Sequence, residues 1–239
     1  MMAEPALLEV HDLHAHYGQA HILQGVDLEL RSGEVVALMG RNGAGKSTTL
    51  KAIIGLVRAS AGRVRFAGHE ITAEPPHRIA RLGLGYVPEE RRVFADLTVR
   101  ENLEVGRRPA RAGFEPWTAE RLFRLFPNLG ELGERAAGRT SGGEQQMLTV
   151  ARTLMGNPSA VLLDEPSEGL APVIVTQMAA TISELKREGL AVLLSEQNLP
   201  FARTLADRAV IIEKGRIRFE GTMADLDADE EARKAYLSV

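Results

Sequence analysis

Residues 35–56 read VVALMGRNGAGKSTTLKAIIGL: a short apolar run, a glycine-rich segment and a stretch with helical periodicity. This order predicts a buried strand, a tight turn and a helix. Glycine tolerates positive φ, so successive backbone N–H groups of such a turn can curve around a phosphate. The residues predicted to form this phosphate loop are Gly40, Arg41, Asn42, Gly43, Ala44, Gly45, Lys46, Ser47 and Thr48.

Two side chains of the loop have distinct expected roles. Lys46 can reach the β- and γ-phosphates of a nucleotide, and Ser47 offers a hydroxyl to Mg²⁺. The helix predicted to begin near Lys46 adds the positive end of its dipole. The alternative is a glycine-rich turn that binds nothing, and the flanking strand and helix argue against it.

Three later runs have the same residue pattern as VVALMG. They are AVLLDE (160–165), AVLLSE (191–196) and RAVIIE (208–213), each apolar without alternation and rich in branched side chains. Such runs are typical of strands covered on both faces. They predict a mainly parallel sheet with helices between its strands, which is an α/β fold.

Two other regions have different patterns. The first 30 residues and residues 62–71 alternate apolar with polar side chains, which predicts half-buried antiparallel strands joined by turns. Residues 98–156 show helical periodicity without strand patterns, which indicates a helical insert within the α/β core. The insert includes GRRPARAGFEPW (106–117), predicted to be a surface loop whose arginines are solvated.

Paired carboxylates end the run AVLLDE. Asp164 and Glu165 follow a predicted buried strand, at the sheet edge where open α/β folds place their ligands. Asp164 is suited to hold Mg²⁺ indirectly, behind the direct ligands or through a bridging water. Glu165 can polarise a water in line with a γ-phosphate. The alternative is that two acidic residues merely end a strand before Pro166.

A second glycine pair lies in RTSGGEQQML, residues 139–148. Its position before a helical stretch predicts free backbone N–H groups suited to an anion. No lysine or arginine follows the pair within this stretch to neutralise a phosphate. The segment therefore resembles half of a phosphate site.

Composition narrows the possible functions. The 239 residues carry 29 Lys plus Arg against 32 Asp plus Glu, a formal net charge of -3, which argues against nucleic acid as a partner. There is no cysteine, so disulfides and thiolate sites are excluded. The N-terminus lacks a signal-peptide pattern, and the apolar runs are far shorter than the roughly 20 residues of a membrane helix. We expect a soluble, cytoplasmic protein that meets a membrane only through a partner.

Three motifs together carry a resemblance that spans essentially the whole chain. GRNGAGKST (40–48), SGGEQQ (141–146) and LLDEP (162–166) resemble, in that order and spacing, the ATP-binding subunit of an ABC transporter. The resemblance implies a P-loop NTPase core with a mainly parallel sheet, an N-terminal antiparallel β subdomain and a helical subdomain. It also implies a single ATPase domain over residues 1–239, with residues 98–156 as the helical subdomain, and hydrolysis of ATP with Mg²⁺.

The resemblance assigns further roles by position. Tyr17 matches the aromatic residue that stacks on adenine; the alternative is a turn tyrosine at a strand end. Glu89 stands where most relatives have a glutamine that touches Mg²⁺ and the attacking water. Gln197 stands where a γ-phosphate-sensing histidine is usual, and an amide can donate to a phosphate but cannot exchange a proton near pH 7. The alternative for Gln197 is a strand cap.

The same resemblance implies that the glycine pair of residues 142 and 143 faces a second subunit. Family members usually read LSGGQ where this chain reads TSGGE. The expected role is to close on the γ-phosphate of ATP held by a second ATP-binding subunit, so each subunit supplies half of the pocket. The residues implied are Ser141, Gly142, Gly143 and Glu144.

Smaller features point to a subgroup. Glu89 after YVP, followed by RRVF, and then GLAP and EQN resemble the ATPases of branched-chain amino acid importers, although Glu90 replaces a usual glycine and Ala171 a common aspartate. Two membrane permeases and an extracytoplasmic solute-binding protein are the implied partners, with this subunit on the inner face of the membrane. The alternatives are an importer for urea, amides or other amino acids, or a non-transport ABC ATPase.

Four histidines near the N-terminus raise a metal alternative. His14 and His16 are expected to share one strand face, but no cysteine or well-placed acidic ligand completes a set. Solvated or packed strand histidines are the favoured interpretation. The four are His11, His14, His16 and His21.

Overall fold

The computed structural model of the chain describes residues 5–111 and 115–237. These residues form two sheets with helices around the larger one. The strands are β1 (Leu8–Tyr17), β2 (Ala20–Leu30), β3 (Val35–Met39), β4 (Ala59–Phe66), β5 (His69–Glu70), β6 (Leu84–Val87), β7 (Ala160–Asp164), β8 (Ala191–Glu196), β9 (Arg208–Glu213) and β10 (Arg216–Thr222). The helices are α1 (Lys46–Ile53), α2 (Pro76–Leu82), α3 (Val99–Gly106), α4 (Ala119–Leu125), α5 (Pro127–Glu131), α6 (Gly142–Leu154), α7 (Pro172–Arg187), α8 (Leu199–Arg203), α9 (Met223–Ala228) and α10 (Glu230–Tyr236), with a 3₁₀ turn at Ala137–Arg139.

The larger sheet has the strand order β10-β9-β3-β8-β7-β6. Strands β6, β7, β8, β3 and β9 pair in parallel, and β10 returns antiparallel to β9. The parallel pairing predicted from the four apolar runs is confirmed. Strands β6 and β10 were not predicted. The sequence of β6, LGYV, is short and contains a glycine, and β10 alternates exposed with half-buried residues as an edge strand does.

The smaller sheet is antiparallel, with the order β2-β1-β4-β5. Its alternating sequence agrees with its burial: the inner side chains of β1 and β4, such as Leu8, Val10 and Phe66, are fully buried. This confirms the predicted antiparallel strands at the N-terminus. The hairpin of β1 and β2 closes at Tyr17, which pairs with Ala20.

Strand β3 is covered on both faces, which explains its unbroken apolar sequence. Val36 and Leu38 pack in a cluster shared with α1 and the antiparallel sheet. Ala37 and Met39 face the opposite side, toward α8 and α9. The strand that precedes the phosphate loop is therefore fixed from two sides.

Helices α3 to α6 lie between β6 and β7, as the periodicity of residues 98–156 predicted. Thr98 begins α3 with a capping box: its hydroxyl accepts from the Glu101 N–H, and the Glu101 carboxylate accepts from the Thr98 N–H. Buried Asn102 on α3 accepts from the Phe94 N–H and donates to the Phe94 carbonyl. These bonds tie the segment after β6 to the helices.

The segment 106–117 corrects one expectation. Arg108 is exposed, but Arg111 is not the solvated side chain that the sequence predicted. Its guanidinium donates to the carbonyls of Asn157 (2.6 Å), Leu82 (2.7 Å) and Arg81 (3.1 Å), and burial lowers its pKa. These three hydrogen bonds take the place of water around the guanidinium. The part of this predicted loop at residues 112–114 lies outside the described residues.

The N-terminal histidines lie together on the outer face of β1 and β2. His14 Nδ1 is 3.0 Å from His21 Nε2, and the rings of His16 and His21 stack with centroids 4.1 Å apart. Asp12 contacts the other nitrogen of His14 at 3.0 Å. Across residues 5–111 and 115–237, the structure contains no group of three or more His, Asp or Glu side chains arranged to hold a metal ion.

We expect Arg111→Met to lower the free energy of unfolding by about 1–3 kcal/mol, because it removes a charged donor from two partly buried carbonyls and one exposed carbonyl while keeping the alkyl stem. Urea denaturation measures this difference. Arg108→Met, the same change at an exposed position nearby, is the matched control and should stay within about 0.5 kcal/mol of the parent. Equal effects of the two substitutions would contradict the structural role of Arg111.

Candidate functional site

The loop between β3 and α1 is built on three glycines with positive φ. Gly40, Gly43 and Gly45 have φ of 156°, 79° and 117°. Glycine is also required at position 40 because there is no room for a side chain: a Cβ would lie 2.3 Å from the carbonyl oxygen of Ile212. The chain then enters α1 at Lys46, as predicted. The glycines thus let the loop turn tightly against β9 and place a helix N-terminus at its end.

Lys46 is 4% exposed and its ammonium has three oxygen neighbours. It donates to the carbonyls of Gly40 (2.9 Å) and Arg41 (3.4 Å) within the loop. It also forms an ion pair with Glu165, with 3.0 Å between Nζ and Oε1. An incoming polyphosphate would therefore compete with a carboxylate for this buried cation.

Asp164 is the hub of a hydroxyl network at the end of β7. Its Oδ1 accepts from the hydroxyls of Ser47 and Ser195, both at 2.9 Å. Its Oδ2 accepts from Tyr86 at 3.2 Å, and burial together with the nearby Asp164 raises the pKa of that phenol. Asp164 and Ser47 are thus fixed beside each other although 117 positions separate them in sequence.

Glu165 has a strained backbone and a fully engaged side chain. Its φ is 45°, in the left-handed region that a non-glycine residue rarely adopts. Gln197 Nε2 donates to Oε2 at 3.1 Å, while Oε1 faces Lys46. The end of β8 therefore orients the carboxylate that the end of β7 supplies.

Sequence analysis missed Glu168, which follows in the turn after Glu165. Its N–H donates to the Glu165 carbonyl at 3.1 Å. A hydrogen bond with the Glu165 carboxyl, partial burial and the Glu165 charge raise the pKa of Glu168 to about 7. In the sequence, the position of Glu168 three residues after Glu165, a predicted functional carboxylate, could have indicated a role at the same site.

Lys46, Ser47, Glu165 and Glu168 border a cleft of about 410 Å³, whereas Asp164 does not line it and is connected to it through Ser47. Tyr17 lies on it with half of its surface exposed, and Glu89 lies on it from the segment after β6. Gln197 does not line the cleft and reaches it through Glu165. Arg41 and Ala44 line a separate cavity of about 260 Å³ on another side of the loop. The residues that line the cleft are Tyr17, Ile22, Asn42, Gly43, Gly45, Lys46, Ser47, Thr48, Glu89, Glu165 and Glu168.

The second glycine pair lies at the start of α6 and does not line this cleft. Ser141 caps the helix: its hydroxyl accepts from the Glu144 N–H, and the Glu144 carboxylate accepts from the Ser141 N–H. Gly143 packs closely on α7, since a Cβ there would lie 3.0 Å from Ile174. The four residues 141–144 therefore form a separate helix N-terminus.

The donor set at the cleft fits a hard divalent cation. Ser47 and Asp164 bring a hydroxyl and a carboxylate together at 2.9 Å, and Glu89 adds a carboxylate on the same cleft. Oxygen ligands of this kind are those that Mg²⁺ prefers. Lys46 and the glycine loop suit the phosphates that would share the ion.

Comparison with known proteins gives consistent matches. The model of the family described as ABC transporter matches residues 23–168. The chain is 44% identical to the high-affinity branched-chain amino acid transport ATP-binding protein BraG of Pseudomonas aeruginosa, over 97% of this chain and 99% of that protein. It is 34% identical to the lipopolysaccharide export system ATP-binding protein LptB of Haemophilus influenzae, over 97% of both chains.

Solved structures give the same result. An ATP-binding cassette of an ABC transporter in its ADP conformation superposes with a TM-score of 0.83 at 27% identity, covering 96% of this chain and 98% of that chain. An ATP-binding subunit of an ABC transporter superposes with a TM-score of 0.81 at 32% identity, covering 97% and 96%. Within the described residues, no helix is both long enough and apolar enough to span a membrane.

We expect the Glu168 carboxyl to titrate at about pH 7 in protein free of nucleotide and metal, and Glu165→Gln to lower that pKa toward 4.5. The substitution removes the charge that disfavours the Glu168 carboxylate. Carbon-detected NMR of the glutamate carboxyls across pH 3–9 measures it. Glu90→Gln, an equal charge change nearby, is the control. An unchanged pKa in Glu165→Gln would contradict this coupling.

Proposed function

Because the chain belongs to the ABC transporter family, we propose that it is the ATP-hydrolysing subunit of an importer for branched-chain amino acids. The observation that carries the proposal is that Lys46, Ser47 and Glu165 line one cleft, with Asp164 hydrogen-bonded to Ser47 behind it. The family supplies ATP hydrolysis coupled to transport. The 44% identity to a branched-chain amino acid transport protein supports the choice of cargo.

Binding of ATP is assigned to the cleft. The loop Gly40–Thr48 would hold the phosphates, and Lys46, which is paired with Glu165 in the structure, would donate to the phosphate oxygens. Tyr17, half exposed at the cleft, offers its ring to adenine. Mg²⁺ would be held by Ser47, with Asp164 and Glu89 completing the set directly or through water, and it neutralises charge on the phosphates.

Catalysis is assigned to Glu165. Once Lys46 turns to the phosphates, the carboxylate is free to accept a proton from, or to orient, a water facing the γ-phosphate. Gln197, which donates to Oε2 at 3.1 Å, holds the carboxylate and can donate to a phosphate oxygen. The reaction cleaves the bond from the γ-phosphorus to the bridging oxygen and yields ADP and phosphate.

The assembly is a pair of ATP-binding subunits, either identical or related, on two membrane permeases. Ser141, Gly142, Gly143 and Glu144 lie at a helix N-terminus apart from the cleft, which suits a half-site that closes on the γ-phosphate held by the second subunit. An extracytoplasmic solute-binding protein delivers the cargo. The permeases hold this subunit at the cytoplasmic face of the membrane, and residues 1–239 act as one ATPase domain with 98–156 as its helical subdomain.

We expect Glu165→Gln to lower ATP turnover of the assembled transporter about 10²- to 10⁴-fold, because the amide cannot accept a proton. A coupled phosphate-release assay measures the rate. Glu231→Gln, on α10 away from the cleft, removes the same charge and should keep parental turnover. Parental turnover in Glu165→Gln would remove the catalytic assignment of that residue.

The cargo has its own test. We expect the reconstituted transporter, with its solute-binding protein, to take up radiolabelled leucine, isoleucine or valine in an ATP-dependent manner, and unlabelled leucine to compete. Urea and acetamide serve as competitors for the alternative cargo class. ATP-dependent uptake of radiolabelled urea or acetamide, without uptake of leucine, isoleucine or valine, would overturn the branched-chain assignment while leaving the ATPase role in place.

A further inference from the structure

Arg91 links three segments that are far apart in sequence. It lies in the segment after β6, two residues beyond Glu89, and has a φ of 44° in the left-handed region. Its side chain extends to the turn after β7, where Nη2 donates to the carbonyls of Glu168 (2.9 Å) and Gly169 (3.4 Å). The turn that begins at Glu165 is therefore held from the segment that carries Glu89.

The same guanidinium lies against the start of α6. A Cβ added to Gly142 would lie 2.4 Å from Arg91 Nη1, too close for any side chain without displacing the guanidinium. Gly142 has no positive φ, so backbone strain does not require glycine there. The guanidinium of Arg91 therefore lies directly beside the first residue of α6, and a side chain at position 142 would have to move it.

The dipole of α6 does not explain why Arg91 lies at the start of that helix. A cation at a helix N-terminus opposes the helix dipole, so Arg91 gains nothing from α6 itself. The bonds to two carbonyls of the neighbouring turn hold it there instead. A guanidinium with a rigid planar fork can fix both the turn and the first residue of the helix at once.

We propose that Arg91 is a positioning residue that couples the nucleotide cleft to the face of α6 that closes on the second subunit. The inference rests on the proposed half-site. A movement of the segment carrying Glu89 toward ATP would pass through Arg91 to the Glu168–Gly169 turn and to Gly142. Arg91 acts through backbone groups and touches no reacting atom.

Turnover of the assembled transporter tests the proposal through four variants. We expect Arg91→Ala to lower kcat about tenfold or more while the KM for ATP changes less than about twofold, since the cleft itself is intact. Arg91→Lys, which can still donate to a carbonyl, should restore part of kcat. Arg92→Ala removes an equal charge from a neighbouring exposed side chain and should behave as the parent.

A double-mutant cycle separates coupling from general damage. Gly142→Ala should lower kcat by a larger factor in the parent, where its Cβ also displaces Arg91, than in the Arg91→Ala background, where only its own loss in the half-site remains. Additive losses, parental kcat in Arg91→Ala, or an equal loss in Arg92→Ala would each overturn the proposal. A melting temperature of Arg91→Ala within about 2 °C of the parent is also expected, and a large drop would make the role merely structural.

Failure of the proposed function gives a different result. In Ser141→Ala, parental turnover with intact ATP-driven pairing of subunits would overturn the half-site on which the inference rests. Loss of pairing in Ser141→Ala together with parental behaviour of Arg91→Ala would overturn the Arg91 inference alone. Analytical ultracentrifugation of the full chain with ATP in a Glu165→Gln background reads out pairing.

Discussion

The parallel pairing of β3, β8 and β7 is the constraint on which the site depends. In register, Met39 lies beside Glu196 and Asp164 beside Ser195, so the three strands end together. Neighbouring strands are about 4.8 Å apart, which brings groups from three distant parts of the chain within hydrogen-bonding reach. A shift of one residue between β7 and β8 would take Asp164 out of line with Ser195 and break their hydrogen bond, so the site depends on this register.

Charge compensation at this edge explains how so many ionisable groups are tolerated. Lys46 and Glu165 are both nearly inaccessible and neutralise each other, and Asp164 is satisfied by three hydroxyl donors. A buried charge without a partner is costly, so an anion that draws Lys46 away also changes the surroundings of Glu165. One ion pair thus joins the glycine loop to the carboxylate of Glu165, whose other oxygen accepts from Gln197.

The relatives are named as ATP-binding proteins alike, but their names give different transported molecules. Proteins named for branched-chain amino acid transport and for lipopolysaccharide export both align with nearly the whole chain. Their shared part is the ATP-binding cassette, which contains the cleft and its carboxylates. Under the proposed function the groups that recognise cargo belong to other subunits, and the role proposed for Arg91 concerns closure of the ATPase rather than the choice of cargo.

The sequence by itself determined the α/β fold, the phosphate loop and the acidic end of β7, because glycine spacing and unbroken apolar runs are local signals of a turn and of doubly covered strands. It also placed the second glycine pair at a helix start. Tertiary structure alone decided the burial of Arg111, the ion pair of Lys46 with Glu165 and the raised pKa of Glu168. No lysine or arginine follows the glycine pair in RTSGGEQQML, yet folding brings Arg91 against Gly142 from 51 positions upstream. Contacts between residues distant in sequence depend on how the segments pack, and no local pattern records them.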